Sequence, residues 1–160
     1  MKLPHKKAIT EKACYLSTRD AAQAAFLPLV RDLVRAYQLF ESCASTHVRS
    51  MGLTPAQFDV ISSLGNTPGM PLHRLVELTL ITKGTLTGII DRLEQKDLVR
   101  REVSTVDRRS FIAVLTPAGV AVFEKTFPAH IAYMQQRFDL LSNTDMARAC
   151  RSLKKLHVLF

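Results

Sequence analysis

The hydrophobic pattern in the middle of this 160-residue chain changes its period once, and that change limits the folds open to it. Between Leu53 and Lys96 apolar residues recur every three or four positions in three short runs, which predicts three helices in close succession. From Leu98 to Leu115 two β-branched runs flank a charged centre, which predicts a hairpin. Three helices followed by a hairpin is the order of a winged helix-turn-helix, so residues 53–116 are predicted to form one.

The helices of this segment carry local start and stop signals. Thr54-Pro55-Ala56-Gln57 matches a capping box with proline at the first helical position. The turn formers of residues 65–71 end that helix and predict a turn. A short helix is predicted over about His73–Thr79, and Thr82 is placed to cap a third helix that runs to about Lys96.

Long helical patterns flank the winged segment on both sides, over residues 18–51 and 117–160. Pro28 predicts a short lead-in helix or a kink in the first of them, and Pro128 predicts a bend in the second. Their apolar stripes exceed what one winged module can bury, and a second copy of the chain is the economical partner. We therefore predict a single domain over residues 1–160, mainly α-helical with a small β-hairpin, in which both flanks are dimerisation helices.

Composition narrows the class of protein. Lys and Arg number 22 against 14 Asp and Glu, so the net charge is +8, which suits nucleic acid or an anionic membrane surface. The absence of a long apolar run argues against a membrane protein, and the basic start lacks the apolar stretch of a secretion signal. Three widely spaced cysteines, Cys14, Cys43 and Cys150, argue against a disulfide scaffold, so we expect a cytoplasmic protein.

The third predicted helix of the segment has an exposed face of small and polar side chains. Fifteen residues span about 22 Å, enough to lie across a major groove. Small residues let the backbone approach a duplex, and a helix start directs free N–H groups at phosphates. The predicted contacts are Thr82, Lys83, Gly84, Thr85, Thr87, Gly88 and Arg92, with Asp91 beside them. On the pattern alone, a solvated amphipathic face explains these residues equally well.

The hairpin tip carries Asp107, Arg108 and Arg109. An arginine side chain suits the narrow, negative minor groove because its planar cation is weakly hydrated. A carboxylate is unsuitable there, so Asp107 is expected to pair with a nearby arginine and hold the wing. The alternative is an ordinary charged hairpin tip of a water-soluble protein.

The sequence gives little support for catalysis, metal binding or nucleotide binding. The five histidines form no metal-ligand or catalytic spacing, and no phosphate-loop or nucleotide-binding motif is present. Cys43 and His47 are four residues apart and could share a metal, but two ligands do not make a site. Cys43 and Cys150 fall on helical patterns and are expected to be buried apolar residues. We expect no enzymatic activity, no cofactor and no bound metal.

Three motifs occur in the order and spacing of a known family, and through them the chain resembles the MarR family of bacterial transcriptional regulators. They are Leu53-Thr54-x-x-Gln57-Phe58, then Thr82-Lys83-Gly84-Thr85-Leu86-Thr87 leading into Ile90-Asp91-Arg92-Leu93-Glu94, and Asp107-x-Arg109 followed by Leu115-Thr116 and Gly119. The resemblance implies a homodimer that binds double-stranded DNA at a pseudo-palindromic operator. It also implies a recognition helix in the major groove, Arg109 in the minor groove, and repression relieved by a small ligand.

A family-type effector pocket would lie between the first long helix and the winged segment. The nearest residues in the sequence are Tyr37, Phe40, His47, Arg49 and Phe58. The resemblance favours an aromatic or phenolic ligand, whereas the alternative is that these aromatic rings are core and the charges are surface.

Two other functions remain open on the same fold. A thiol-based redox sensor would use a cysteine, but the family's sensing cysteine falls between Cys14 and Cys43 and matches neither. A winged-helix protein-interaction module without DNA affinity would leave Arg108 and Arg109 dispensable.

Overall fold

The computed structural model describes residues 16–79, 81–103 and 111–159, which form seven helices and three short strands. The elements are α1 (Thr18–Ala21), α2 (Leu27–Ser50), α3 (Pro55–Leu64), β1 (Met70–Pro71), α4 (Leu72–Thr79), α5 (Lys83–Gln95), β2 (Val99–Val103), β3 (Phe111–Leu115), α6 (Pro117–Phe138) and α7 (Asn143–His157). The predicted fold class, mainly helical with a small hairpin inside a winged helix-turn-helix, is confirmed.

The chain divides into two compact units, Met1–Phe40 and Glu41–Phe160. Within the first unit, α1 is the predicted lead-in helix, and α2 begins at Leu27. Pro28 is therefore the second residue of α2, where its missing N–H leaves no helical hydrogen bond unmade. The assignment of residues 18–51 and 117–160 to dimerisation stays a prediction.

The core of the second unit lies among α3, α4, α5 and the sheet. Side chains from each of these elements are almost inaccessible to solvent, and burial of each stabilises the fold by about 1.5–3 kcal/mol. The largest fully buried residues are Val60, Ile61, Leu64, Leu75, Leu86, Ile90, Leu93 and Val99. This packing holds one face of α5 rigidly against the domain.

The sheet is antiparallel with strand order β1-β3-β2. The predicted hairpin is confirmed, with Val99 opposite Leu115 at one end and Val103 opposite Phe111 at the other. The turn formers after Leu64 end α3 as predicted, but the sequence did not predict β1, in which Met70 pairs with Ala113. Gly69 permits this approach: its φ is +101°, and a Cβ there would lie 2.7 Å from the carbonyl oxygen of Ala113. A two-residue strand exists only through that tertiary pairing.

Local capping follows the sequence signals at most helix starts. The hydroxyl of Thr54 accepts a hydrogen bond from the Gln57 N–H at 3.2 Å, and the Gln57 side chain accepts from the Thr54 N–H at 3.1 Å. The Thr116 hydroxyl caps α6 by accepting a hydrogen bond from the Gly119 N–H at 3.0 Å. The prediction for Thr82 was wrong in its chemistry: its hydroxyl bonds no backbone N–H and lies 3.0 Å from the hydroxyl of Thr85.

The last two helices leave much of their surface exposed in a single chain. α6 continues through Pro128 without interruption. α7 has no buried residue, and Cys150 is exposed, so its predicted burial was wrong because α7 buries no face in a single chain. Cys43 is partly buried.

Candidate nucleic-acid interface

Helix α5 presents two chemically distinct faces. Its apolar face is buried in the core through Leu86, Ile89, Ile90 and Leu93. The opposite face is solvent-exposed and carries the predicted contacts Lys83, Gly84, Thr85, Thr87 and Arg92, with Thr82 exposed just before it and Gly88 partly buried. The structure therefore leaves most of the sequence-predicted residues of this helix accessible, over about half of its circumference.

The first turn of α5 is open to a ligand. A Cβ added to Gly84 would meet no atom within 4 Å, so the backbone there is not covered by neighbouring side chains. The Thr87 hydroxyl donates to the Lys83 carbonyl at 3.2 Å, and the Thr82 side chain leaves the first N–H groups uncapped. An uncapped helix start next to Lys83 favours a phosphate oxygen.

Arg101 attaches strand β2 to α5. One guanidinium nitrogen of Arg101 lies 2.6 Å from the Asp91 carboxylate, and another contacts the Glu94 carboxylate. The Arg101 backbone N–H also donates to Glu94 at 2.9 Å. Asp91, predicted as part of the exposed face, therefore forms an ion pair with Arg101. The pair offsets the negative charge of Asp91 beside the exposed face of α5.

Sequence reasoning did not single out Arg101. The available signal was a pair of carboxylates three residues apart on one helix, followed closely by a strand with two arginines. The predicted wing residues Asp107, Arg108 and Arg109 lie outside the described residues, so their roles stay predictions.

The five predicted effector residues are divided between the two units, and their role stays a prediction. Tyr37 and Phe40 belong to the first unit, where their side chains are 64% and 49% exposed. In the second unit, His47 and Phe58 both contact His130, with ring centroids 5.3 and 4.8 Å from the His130 ring. Arg49 lies instead in a separate groove beside the end of α5.

His130 and Tyr133 complete an aromatic cluster that sequence reasoning missed. The Tyr133 ring stacks on His47 with centroids 3.9 Å apart, and the Arg137 guanidinium lies 4.0 Å from the Tyr133 ring centroid. These partners are on α6, far from α2 in the sequence, and nothing in their spacing marks them.

Two groups of this cluster have shifted pKa values. Burial lowers the pKa of His130, and the positive charge of His47 lowers it further. The hydrogen bond between the Cys43 sulfur and the Tyr133 hydroxyl, 3.7 Å apart, raises the pKa of Tyr133, and desolvation raises it further. Within the described part of the chain, no three His, Cys, Asp or Glu side chains converge as a metal site. None of the helices described there is long and apolar enough to span a membrane.

A helix-turn-helix with an exposed polar face on its last helix, followed by a β-hairpin, defines a winged helix-turn-helix regulator. The model of the MarR family matches residues 53–111. The HTH-type transcriptional regulator MhqR of Bacillus subtilis is 31% identical over 124 residues, which cover 78% of this chain and 86% of that protein. The chain belongs to the MarR family and is a DNA-binding transcriptional regulator, as its motifs predicted.

Solved structures agree with this assignment. AbsC, a MarR family transcriptional regulator from Streptomyces coelicolor, is 28% identical with a TM-score of 0.74, and the match covers 89% of this chain and 94% of AbsC. BpsR of Bordetella bronchiseptica is also 28% identical, with a TM-score of 0.72 and coverage of 83% and 95%. BpsR was solved in a study of the regulation of its DNA binding by 6-hydroxynicotinic acid.

Proposed function

We propose that this chain is a cytoplasmic, sequence-specific regulator that binds a pseudo-palindromic duplex as a homodimer. Each copy inserts α5 into a major groove and Arg109 into the neighbouring minor groove. The observation that carries the proposal is the exposed polar face of α5, held rigid because the opposite face is buried. A helix of 13 residues is about 20 Å long, which suits the major groove.

Exposed apolar side chains on the flanking helices support the homodimer. α2 exposes a series of large apolar residues in the first unit, and α6 and α7 expose others in the second. They include Leu29, Val30, Leu33, Val34 and Phe40 on α2, Ile131 and Phe138 on α6, and Leu153 on α7, each at least 41% exposed. Monomeric proteins rarely leave such surfaces open, and a second copy would cover them.

The experiment is a titration of the wild-type chain against a duplex selected from a random library, with sedimentation equilibrium on the same sample. We expect salt-dependent binding of a two-fold symmetric sequence by a dimer, at a stoichiometry of two chains per duplex. Selection of no preferred duplex would refute the proposal, as would a folded monomer at micromolar concentration.

We further propose that the regulator is a ligand-responsive repressor, which acts by occluding a promoter. The effector would be an aromatic or phenolic acid, and no cofactor or catalytic step is involved. The stacked rings of His47 and Tyr133 and the cation of Arg137 suit such a molecule, and 6-hydroxynicotinic acid is the ligand named for BpsR. A thermal-shift screen of aromatic acids should find one that raises the melting temperature and releases the selected duplex. A screen in which no stabilising compound also weakens duplex binding would contradict this part of the proposal.

A further inference from the structure

A groove of about 510 Å³ lies between the end of α2, the start of α3 and the last turn of α5. Three cationic side chains line it: Arg49 from α2, Arg92 from α5, and Lys96, which follows α5. Its lining contains no carboxylate. The groove therefore gathers three positive charges in one concave surface.

These three cations are not neutralised by a neighbouring carboxylate, unlike several arginines of the fold. Arg74, Arg101 and Arg148 each pair with a carboxylate on the same or a neighbouring element. Among the described residues, Arg49, Arg92 and Lys96 take part in no ion pair, and all three are exposed. Their mutual repulsion is unfavourable in the free chain, so an anion in the groove would be stabilising.

Two polar uncharged side chains of the groove, those of Thr54 and Gln57, are already engaged. The Thr54 hydroxyl and the Gln57 side chain bond each other's backbone N–H groups in the capping box of α3. The three cations and the Gln95 amide are thus left to bind a ligand, and a phosphate accepts hydrogen bonds from arginine, lysine and amide N–H groups alike.

The distance along α5 fits the width of a DNA groove. Lys83 and Arg92 are nine residues apart, a rise of about 13.5 Å along a helix and half a turn around it, so their side chains leave α5 on opposite sides. The major groove is about 12 Å wide. A helix laid across that groove with its first turn at one phosphate backbone therefore has its last turn near the other.

We infer that the groove of Arg49, Arg92 and Lys96 binds a backbone phosphate of the duplex, on the side of the major groove opposite the start of α5. The inference rests on the proposed function. It assigns Arg49 to DNA rather than to an effector, and it assigns Arg92 to the phosphate backbone rather than to base reading. Phosphate contacts set affinity and register but not sequence preference.

The test compares the wild-type chain with Arg49→Gln, Lys96→Gln and the double variant on the selected duplex and on an unrelated one, between 50 and 200 mM salt. Lys125→Gln is the matched control, because Lys125 is exposed on α6 and does not line the groove. Circular dichroism and melting temperature establish that each variant is folded.

Each groove variant should lose affinity equally for both duplexes, so that the specificity ratio is unchanged. A single substitution removes one cation from each copy and therefore two from the dimer, so the slope of log affinity against log salt should become shallower by about 1.8. The ratio of wild-type to variant affinity should then shrink about tenfold from 50 to 200 mM salt. Lys125→Gln should keep the wild-type slope.

The phosphate itself can be located by replacing single phosphates of the selected duplex with neutral methylphosphonates. One replacement flanking the major groove should weaken wild-type binding and have no effect on the double variant. Unchanged slopes in the groove variants would overturn the inference, and so would a loss confined to the selected sequence. Stabilisation of the wild-type chain but not of the variants by inorganic pyrophosphate, with DNA slopes unchanged, would identify a free-anion site and also overturn it. Failure of the wild-type chain to bind any duplex would refute the proposed function itself, an outcome distinct from all of these.

Discussion

The Nδ1 atoms of His47 and His130 lie 3.1 Å apart, which joins α2 to α6 through one shared proton. One imidazole donates and the other accepts, so the accepting ring is neutral at that nitrogen. His130 is only 9% exposed, and the Phe58 ring packs edge-on against it. A second proton on the pair would place two donors face to face without water between them. We therefore expect the contact between these two helices to depend on pH.

The free energy of unfolding should fall as the pH drops below about 6.5. The pKa of His130 is lowered from its ordinary value of 6.5, so the unfolded chain binds protons more readily than the folded chain below that value. Stability from this group is complete above pH 6.5 and is lost as the pH falls towards the lowered pKa. Urea unfolding at pH 7.5, 6.5 and 5.5 measures it. His130→Gln should flatten the dependence, whereas His157→Gln, at an exposed site on α7, should leave it unchanged. An identical dependence in wild-type and His130→Gln chains would contradict the expectation.

Arg101→Met should loosen α5 and weaken DNA binding. The substitution removes the cation between Asp91 and Glu94, and because the three side chains are 25–51% exposed, the loss of stability should be only about 1 kcal/mol. It also leaves two uncompensated carboxylates on the helix that faces DNA. Duplex affinity should therefore fall, and adding Asp91→Asn should restore part of it. Rescue is the informative result, because a purely structural loss would not be recovered by removing a carboxylate.

Gly84→Ala should separate folding from DNA binding. A methyl group there meets no atom, and alanine is the better helix former, so the free energy of unfolding should rise by about 0.5–1 kcal/mol. The same methyl group lies on the exposed first turn, so it should reduce duplex affinity by blocking close approach of the backbone. Gly119→Ala is the contrasting variant. Its Cβ would lie 1.9 Å from the carbonyl oxygen of Leu98, and it should destabilise the fold by about 1–3 kcal/mol. Undiminished affinity in Gly84→Ala would exclude this turn from the interface.

Arg109→Ala should weaken binding to the selected duplex by about 1–3 kcal/mol for each wing, with two wings per dimer. The salt dependence should become shallower by roughly one unit for each charge removed from the groove. Asp107→Ala should reduce affinity with a smaller change in salt dependence, because its proposed role is to hold the wing. Titrations of both variants against the selected duplex over a series of salt concentrations measure the affinity and its salt dependence. An Arg109→Ala chain with wild-type affinity and slope would place the wing away from DNA.

The sequence alone determined the features of this protein that depend on near neighbours in the chain. The capping box of Thr54 and Gln57 involves residues three apart, so its geometry is local and could be predicted. The two faces of α5 follow from its 3.6-residue period, which placed Lys83 and Thr85 on the exposed side and Leu86 on the buried side. The motifs that identify the family lie on these same local elements.

Tertiary structure alone decided the contacts between residues distant in the chain. The hydrogen bond of His47 with His130 spans 83 positions, and the pairing of Met70 with Ala113 creates a strand where turn residues stand. Arg101 pairs with Asp91 and Glu94 because β2 returns beside α5. Arg49 and Lys96 line the same groove because the end of α2 lies near the end of α5. Local propensity does not predict such long-range contacts, because they depend on how whole helices and strands pack. That packing is determined by all the buried side chains together.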